Sequence, residues 1–489
     1  MPIIPFALVF LPVGGGILAL LVARDALRRG LLVVTAVAHA AMVAAGAAAP
    51  TVPPEAMLGL DAPGLVFLGL ASILFVAASI YAVGYLRAET KDERADFVAG
   101  VMFRNAPERI FTACLLFFLA SMSLVCLARH LGLLWVGVEC TTLASAPLIY
   151  FHRHQRSLEA TWKYLLICSV GIAFALMGLM LVSYAAAGSS SSLHLDALMA
   201  HATAMRPRWL QVAFVFLLVG YGCKMGLAPM HHWLPDAHSE APSLVSALLS
   251  GALLNCAFLG IIRGHQLCVA AGLGEFSGSM LVLLGLLSLG TAAVFVVGQG
   301  DFKRMLAYSS VEHMGLLALA LGAGGAAAAS GMLHAVNHSL TKAALFLLAG
   351  NILALYHTKS SYDTSGLVRT IPVTGVLWVA GFLSITGTPP FGTFVSELGI
   401  VQGLLAQGRF GVAALTVLCL AVIFVGMSMA VARMIQGPRP RYLRGTPREE
   451  WTSVGPSAVL LVLVLALGVA QPQGLRQLLG EALRVAGGM

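Results

Sequence analysis

Long apolar stretches, separated by short polar connectors, follow one another along almost the whole chain. A hydrocarbon core about 30 Å thick requires roughly 20 apolar residues per membrane-spanning helix. The pattern therefore predicts an all-α integral membrane protein with fourteen spans, which we number in chain order. The spans cover residues 3–23, 31–49, 63–86, 110–128, 131–150, 162–186, 209–230, 243–263, 280–298, 304–321, 330–354, 372–405, 411–434 and 453–470.

The composition agrees with a membrane protein. Hydrophobic residues make up 59% of the 489 positions and charged residues only 10%, which is outside the usual range of soluble domains. The net charge of +8 does not indicate a nucleic-acid-binding surface, because the basic residues lie in connectors rather than along one face. Alternate connectors hold 20 of the 29 Lys and Arg residues, so the positive-inside rule predicts that both termini face away from the cytoplasm.

Two spans, five apart in the chain, are interrupted by proline. Lys224 in span 7 is followed by Pro229, and GTPPFGTFVSELG in span 12 has a Gly/Pro break at 387–392 followed by Glu397. An odd offset reverses direction in the membrane, so spans 4–8 and 9–13 would be inverted five-helix repeats with broken helices 7 and 12. Two unrelated proline kinks are the alternative. The predicted units are 1–109 with spans 1–3, 110–263 with the first repeat, 280–434 with the second repeat, and 435–489 with span 14 and a tail.

Lys224 is the most unusual residue in the apolar pattern. It follows the apolar segment WLQVAFVFLLVG and should lie at membrane depth, where a charged side chain is costly and usually functional. A lysine that reaches towards the interface from a helix end is the alternative. Glu139 in span 5 is also surrounded by apolar residues. A change in the distance between these two groups would favour proton uptake or release, because a nearby opposite charge favours the ionised form.

Spans 10 and 11 add further protonatable groups. Glu312 and His313 lie within span 10, and His334, His338 and Lys342 in span 11 follow at intervals of four residues. This spacing places the three side chains along one face of a helix. Burial alone does not require three protonatable groups in register, so the pattern favours a proton path over isolated polar contacts.

The sequence predicts neither a metal site nor a bound cofactor. The eight cysteines include no CxxC pair, and there is no dinucleotide fingerprint or P-loop. His231, His232 and His238 lie near Asp236 and Glu240 at a helix end, where an interfacial location is expected, and no closed set of ligands can be identified. Any redox chemistry is therefore expected in partner proteins.

Several motifs resemble one known family. They are GLLWVGVE, EATWKYLLICS, CKMGLAPMHHWLPDAHSEAPSLVSALLSG, DFKRMLAYSSVEHMG, HAVNHSLTKAALFLLAG and GTPPFGTFVSE. These segments, within residues 60–440, are similar to the antiporter-like proton-pumping subunits of respiratory complex I, group-4 membrane-bound hydrogenases and multisubunit cation/proton antiporters. ECTTLASAPLI and SVEHMG most resemble the hydrogenase-4 component F type.

The resemblance implies roles for individual residues. Glu139 and Lys224 would form the charge pair of a first half-channel, Lys342 with His334 and His338 a central relay, and Glu397 an exit group. Further candidates are Lys163, His232, Asn255, Glu312 and His313. Many relatives have a lysine at the position that aligns with Asn255, so the step between Lys224 and Lys342 is expected to use water, a histidine or Asn255 as a non-titrating bridge.

The resulting prediction is a non-redox, proton-translocating subunit of a membrane-bound NiFe hydrogenase or complex I-like assembly. Its partners would be the other membrane and peripheral subunits, protons or sodium, and the lipid of a bacterial or archaeal cytoplasmic membrane. Two alternatives remain open: a cation/proton antiporter or inorganic-carbon uptake component without a redox partner, and a scaffold whose charges hold neighbouring subunits together.

Overall fold

Helices form almost all of the protein. The computed structural model describes residues 3–48, 56–89, 94–95, 102–188, 192–440, 443 and 448–487. In the first half the helices are α1 (Ile3–Leu21), α2 (Asp25–Ala47), α3 (Ala62–Ala88), α4 (Glu108–Leu127), α5 (Leu131–Ile149), α6 (Gln155–Ala185), α7 (Leu195–Ala200), α8 (Pro207–Met225), α9 (Trp233–Glu240) and α10 (Ser243–Leu248). In the second half they are α11 (Leu254–Ala270), α12 (Gly274–Val296), α13 (Phe302–Ala323), α14 (Gly325–Tyr356), α15 (Leu367–Thr370), α16 (Pro372–Ile385), α17 (Gly392–Ala406), α18 (Phe410–Ile435), α19 (Trp451–Val469) and α20 (Gln473–Val485). Strands β1 (Arg94–Ala95) and β2 (Met102–Phe103) pair in antiparallel fashion.

The predicted spans agree with these helices. Within the described residues, twelve helices are long and apolar enough to cross a membrane. Span 7 corresponds to α8, and span 12 corresponds to the shorter pair α16 and α17. The prediction of an all-α integral membrane protein is therefore confirmed.

Span 8 is longer than predicted and is not a regular α-helix. It consists of α10, a π-helical turn at Leu249–Leu253, and α11, which continues to Ala270. The predicted span ended at the charged residue Arg263. In the structure Arg263 is buried, and its Nη2 lies 2.6 Å from Oδ2 of Asp61 at the start of α3. A partner from another helix thus allows the arginine to stay inside.

The most buried helices carry most of the candidate residues. Every residue from Ser243 to Cys268, which includes α10, the π-helical turn and most of α11, is buried. Most residues of α13 and of the central part of α14 are buried as well, whereas only 33% of the apolar stretch of α1, of α2 and of α18 is buried. The ionisable groups of spans 10 and 11 are therefore enclosed by protein rather than by lipid.

Small residues allow α12 and α13 to approach each other closely. A β-carbon on Gly285 of α12 would lie 2.6 Å from the carbonyl oxygen of Gly315 on α13 and 2.8 Å from Cβ of Leu319. Close backbone approach through small residues is a common way for membrane helices to pack. Gly290, on the same helix, has open space around it.

We expect Gly285→Val to destabilise the protein and Gly290→Val to have little effect on packing. Overpacking of a tight contact costs typically about 1–3 kcal/mol, whereas both substitutions change helix propensity similarly. The measurement is the midpoint of thermal unfolding of the detergent-solubilised protein, monitored by size-exclusion chromatography. Equal midpoints for the two variants would contradict a tight interface between α12 and α13.

Spans 7 and 12 are both broken. Helix α8 ends at Met225, Gly226 has φ = 83°, and α9 begins at Trp233. Helix α16 ends at Ile385 and α17 begins at Gly392. Each break contains a cis peptide bond before a proline, at Ala228–Pro229 and Pro389–Pro390. These paired breaks support our proposal that residues 110–263 and 280–434 are inverted repeats.

Candidate functional site

Lys224 lies in the last turn of α8 and is fully buried. Its ammonium donates to Oγ1 of Thr142 at 2.9 Å and to the hydroxyl of Tyr164 at 2.6 Å. It also lies 4.4 Å from the centroid of the Tyr164 ring. A cation is favoured near a helix carboxyl end and over an aromatic face. The lysine therefore does not extend to an interface, and neutral groups hold it inside the protein.

Glu139 is half-buried on α5 and is connected to Lys224 through one hydroxyl. Oγ1 of Thr142 donates to Oε2 of Glu139 at 3.3 Å while it accepts from Lys224. Oγ of Ser169 donates to the other carboxylate oxygen at 3.3 Å. The predicted charge pair is thus bridged by Thr142, which provides an exchangeable proton between the two charged groups.

Two further candidates lie at the surface. The Lys163 side chain is 45% exposed, and its ammonium is 2.7 Å from Glu159 and 2.9 Å from Asp236. His232 is exposed as well. Both residues therefore lie apart from the buried candidates, and their part in proton translocation stays a prediction.

His238 is fully buried, in contrast to the interfacial location predicted for the histidine cluster. Its ring stacks on Phe346 of α14, with centroids 4.8 Å apart and an angle of 15° between the planes. Neither ring nitrogen has a hydrogen-bond partner among the described residues. This burial was not expected from the sequence, because the neighbours Asp236 and Glu240 are polar.

Asn255 and Lys342 connect the first half of the site to α14. Nδ2 of Asn255 donates to Oγ of Ser339 at 2.7 Å, so the amide bridges α11 and α14 directly after the π-helical turn. Lys342 is fully buried, and its ammonium donates to the carbonyl oxygen of Leu306 on α13 at 2.6 Å. Asn255 can thus support a hydrogen-bonded connection, but it cannot itself carry a charge.

A group of imidazoles and a carboxylate lies at the other end of α14. Nδ1 of His313 is 2.9 Å from Nε2 of His334, and Nδ1 of His334 is 3.0 Å from Oγ of Ser396 on α17. Oε1 of Glu397 is 3.9 Å from Nδ1 of His313. His338 is buried beside them, with its ring centroid 5.1 Å from that of His313.

This group changes the prediction that no metal site can be identified. One ligand atom from each of His313, His334 and Glu397 lies within 4.8 Å of the other two, and all three residues are buried. The sequence could not indicate the site because its ligands come from α13, α14 and α17, which meet only in the folded protein. These three residues are able to hold a metal ion.

The hydroxyl groups of the site were not identified from the sequence. Thr142, Tyr164 and Ser396 each contact an ionisable candidate directly. Thr142 follows Glu139 by three residues, a spacing that places both on one helix face and was a usable signal. The distances from Lys224 to Tyr164 and from His334 to Ser396 depend on tertiary structure, and no local pattern indicates them.

Comparisons with known proteins identify the family of the chain. A family model described as "NADH:quinone oxidoreductase/Mrp antiporter, TM" matches residues 128–424. The hydrogenase-4 component F homolog of Methylacidiphilum infernorum (isolate V4) is 35% identical over 392 residues, which cover 78% of this chain and 79% of that protein. The NADH-quinone oxidoreductase subunit N of Desulforudis audaxviator (strain MP104C) is 30% identical over 417 residues, with coverages of 82% and 78%.

A solved structure supports the fold. The chain matches one chain of the membrane-bound sulfane sulfur reductase, an archaeal respiratory membrane complex, with a TM-score of 0.86 and 19% identity. The match covers 99% of both chains. The identity is low, so this likeness concerns the fold alone. The family model and the two sequence relatives show that this chain belongs to the NADH:quinone oxidoreductase/Mrp antiporter transmembrane family.

Proposed function

We propose that the protein translocates protons across a prokaryotic plasma membrane as a subunit of a redox-driven complex, of the membrane-bound NiFe hydrogenase or complex I type. The path would begin with Glu139, Thr142 and Lys224. It would continue through Asn255 and water to Lys342, His338 and His334, and end at Glu397.

The observation that carries this proposal is the burial of two lysines whose hydrogen-bond partners are neutral. Lys224 and Lys342 are both fully buried, and the oxygen atoms bonded to their ammonium groups belong to hydroxyls and a backbone carbonyl. No ion pair joins either lysine to a carboxylate within the part of the chain that the structure describes. A buried amine with only neutral partners exchanges its proton readily. If these lysines had only a structural role, each would be expected to form a permanent ion pair with a carboxylate.

The bridge at Thr142 suggests how the first half of the path responds to its surroundings. A shift of α5 relative to α8 that breaks the contact between Thr142 and Lys224 would remove the link to the negative charge of Glu139. The ammonium would then lose part of its stabilisation and release a proton. Such a shift can be driven from outside the chain by a neighbouring subunit that contacts α5 or α6.

The relatives support coupling to electron transfer. Their names describe a hydrogenase-4 component and a subunit of NADH-quinone oxidoreductase. The chain is accordingly a multi-pass membrane subunit whose partners are the other subunits of such a complex. Electron transfer is assigned to those partners, and this chain is assigned the movement of protons.

Glu139→Gln tests the proposal directly. We expect proton uptake by inverted membrane vesicles to fall at least about tenfold, because the neutral amide cannot modulate the charge of Lys224. The measurement is the quenching of a pH-sensitive dye, divided by the rate of electron transfer in the same vesicles. Glu139→Asp, which keeps the charge, should retain part of the uptake.

Assembly is measured in parallel by isolating the complex in mild detergent. Full proton uptake by the Glu139→Gln vesicles, with the complex intact, would refute the role of Glu139. Loss of the complex from the membrane would favour the scaffold alternative instead.

A further inference from the structure

The contacts of His334 determine which of its nitrogens carries a proton. Oγ of Ser396 lies 3.1 Å from the carbonyl oxygen of Gly392 and 2.9 Å from that of Thr393, so its single proton is directed to the backbone. The contact between Ser396 and His334 must then be a donation from Nδ1 of the histidine to the hydroxyl oxygen. In the neutral imidazole this leaves a lone pair on Nε2 of His334.

That lone pair points to His313. Nδ1 of His313 is 2.9 Å away and therefore donates its proton to Nε2 of His334. The other nitrogen of His313, Nε2, has no hydrogen-bond partner among the described residues, and neither does Oε1 of Glu397. A single shared proton thus lies between two imidazoles, next to a carboxylate oxygen that is not bonded.

We propose that His313, His334 and Glu397 form a binding site for a divalent transition metal ion of the zinc class. The ion would take the place of the proton between the two imidazoles, and that proton would move to Nε2 of His313, which is unoccupied. Two imidazole nitrogens and one carboxylate oxygen are a ligand set that zinc prefers, whereas magnesium and calcium prefer oxygen ligands only.

The geometry is compatible with such an ion. Zinc to nitrogen bonds of about 2.0–2.1 Å place two ligands of a tetrahedral site about 3.3 Å apart. The nitrogen pair is at 2.9 Å, the carboxylate oxygen is 3.9 Å from Nδ1 of His313, and all three atoms lie within 4.8 Å of one another. Rearrangements of up to about 1.5 Å would bring them to this spacing. The fourth position would be taken by water.

The surroundings resemble those of known metal sites in two respects. A metal-binding histidine usually donates its other ring proton to an oxygen atom, which orients the ring and fixes the tautomer. Ser396 provides this oxygen for His334. Glu397 is 8% exposed and its Oε1 is buried, so the surrounding protein limits the access of solvent to the site, as at known metal sites.

Binding at this site would block proton movement, and this second part rests on the proposed function. An ion coordinated by His334 and Glu397 removes both groups from a path that must pass a proton between them. Metal binding itself depends only on the three ligands, so the two parts can be tested separately.

The intact complex, purified in metal-free buffer, is titrated with Zn²⁺ alone, and bound zinc is measured by equilibrium dialysis. We expect His334→Ala and His313→Ala each to bind one zinc ion fewer per complex than the wild type. Ser396→Ala, which keeps all three ligands, should bind zinc about 10–100-fold more weakly because the ring of His334 is no longer oriented. Zinc-edge X-ray absorption of the wild type should show imidazole ligands.

His265→Gln is the matched control. His265 is also a buried histidine bonded to a serine, Ser277 at 2.9 Å, but it lies outside the site. The complex with His265→Gln should bind as much zinc as the wild type. Zinc binding that is the same in wild type, His313→Ala, His334→Ala and Ser396→Ala would overturn the proposal. If a ligand variant does not assemble, Ser396→Ala alone decides: weaker zinc binding supports the proposal, and unchanged zinc binding overturns it.

Proton uptake by vesicles is then measured at increasing zinc concentrations. We expect half of the uptake to be lost at the concentration that half-fills the site, and at a 10–100-fold higher concentration in Ser396→Ala. Vesicles that take up no protons would refute the proposed function and leave the metal site intact. Vesicles that pump fully with zinc bound at this site would refute the blocking role.

Discussion

Lys224→Ala should abolish proton uptake by inverted vesicles while electron transfer continues or slows. The substitution removes the amine held by Thr142 and Tyr164, and with it the proton-carrying group next to Glu139. Loss of a proton-transferring group typically costs about 10²–10⁴-fold in rate. The measurement is dye quenching per electron transferred, with the amount of assembled complex determined from the same membranes.

Lys163→Ala is the matched control for this variant. Lys163 lies on α6, as Tyr164 does, but its side chain is 45% exposed and pairs with surface carboxylates. Exposed ion pairs contribute little to stability, about 0–1 kcal/mol, so uptake should stay close to that of the wild type. An equal loss of proton uptake in both variants would mean that removal of any positive charge in this region has the same effect. Lys224 would then have no special position in the path.

Lys342 should be as sensitive as Lys224, and two substitutions separate its possible roles. Lys342→Ala removes the charge and the proton-carrying group together. Lys342→Arg keeps a positive charge, but a guanidinium is effectively never deprotonated in proteins. If Lys342 passes a proton on, both variants should lose proton uptake by about 10²-fold or more.

The arginine variant is the decisive one. Substantial uptake by Lys342→Arg, with none by Lys342→Ala, would show that a fixed positive charge at this position is sufficient. Full uptake by both would mean that the path bypasses α14. Because Lys342 is fully buried, thermal stability of both variants must be measured so that a folding defect is not mistaken for a defect in proton transfer.

Asn255 illustrates where the sequence was informative and where it was not. The resemblance to known relatives singled out Asn255 as a non-titrating residue in a stretch otherwise rich in functional groups. The structure adds that the amide bonds Ser339 and follows a π-helical turn. The extra residue of that turn changes the direction of the side chain, and no hydrophobic pattern reveals such a local change.

The buried histidines also show what the sequence can and cannot predict. A spacing of four residues placed His334 and His338 on one face of a helix, and both are buried on α14. The helix end and the polar neighbours of His238 placed it at an interface, whereas its ring stacks on Phe346 inside the protein. Periodicity indicates which residues share a face of one helix, but it does not indicate which other helix covers that face.

The sequence by itself determined the helical membrane architecture, the two breaks and the family. These features depend on the length of apolar segments and on the backbone limits of proline and glycine, which are local properties. Only the tertiary structure decided that Thr142 lies between Glu139 and Lys224, that Ser396 sets the tautomer of His334, and that His313, His334 and Glu397 meet. Such contacts join helices that are far apart in the chain, and they result from packing, which no local pattern records.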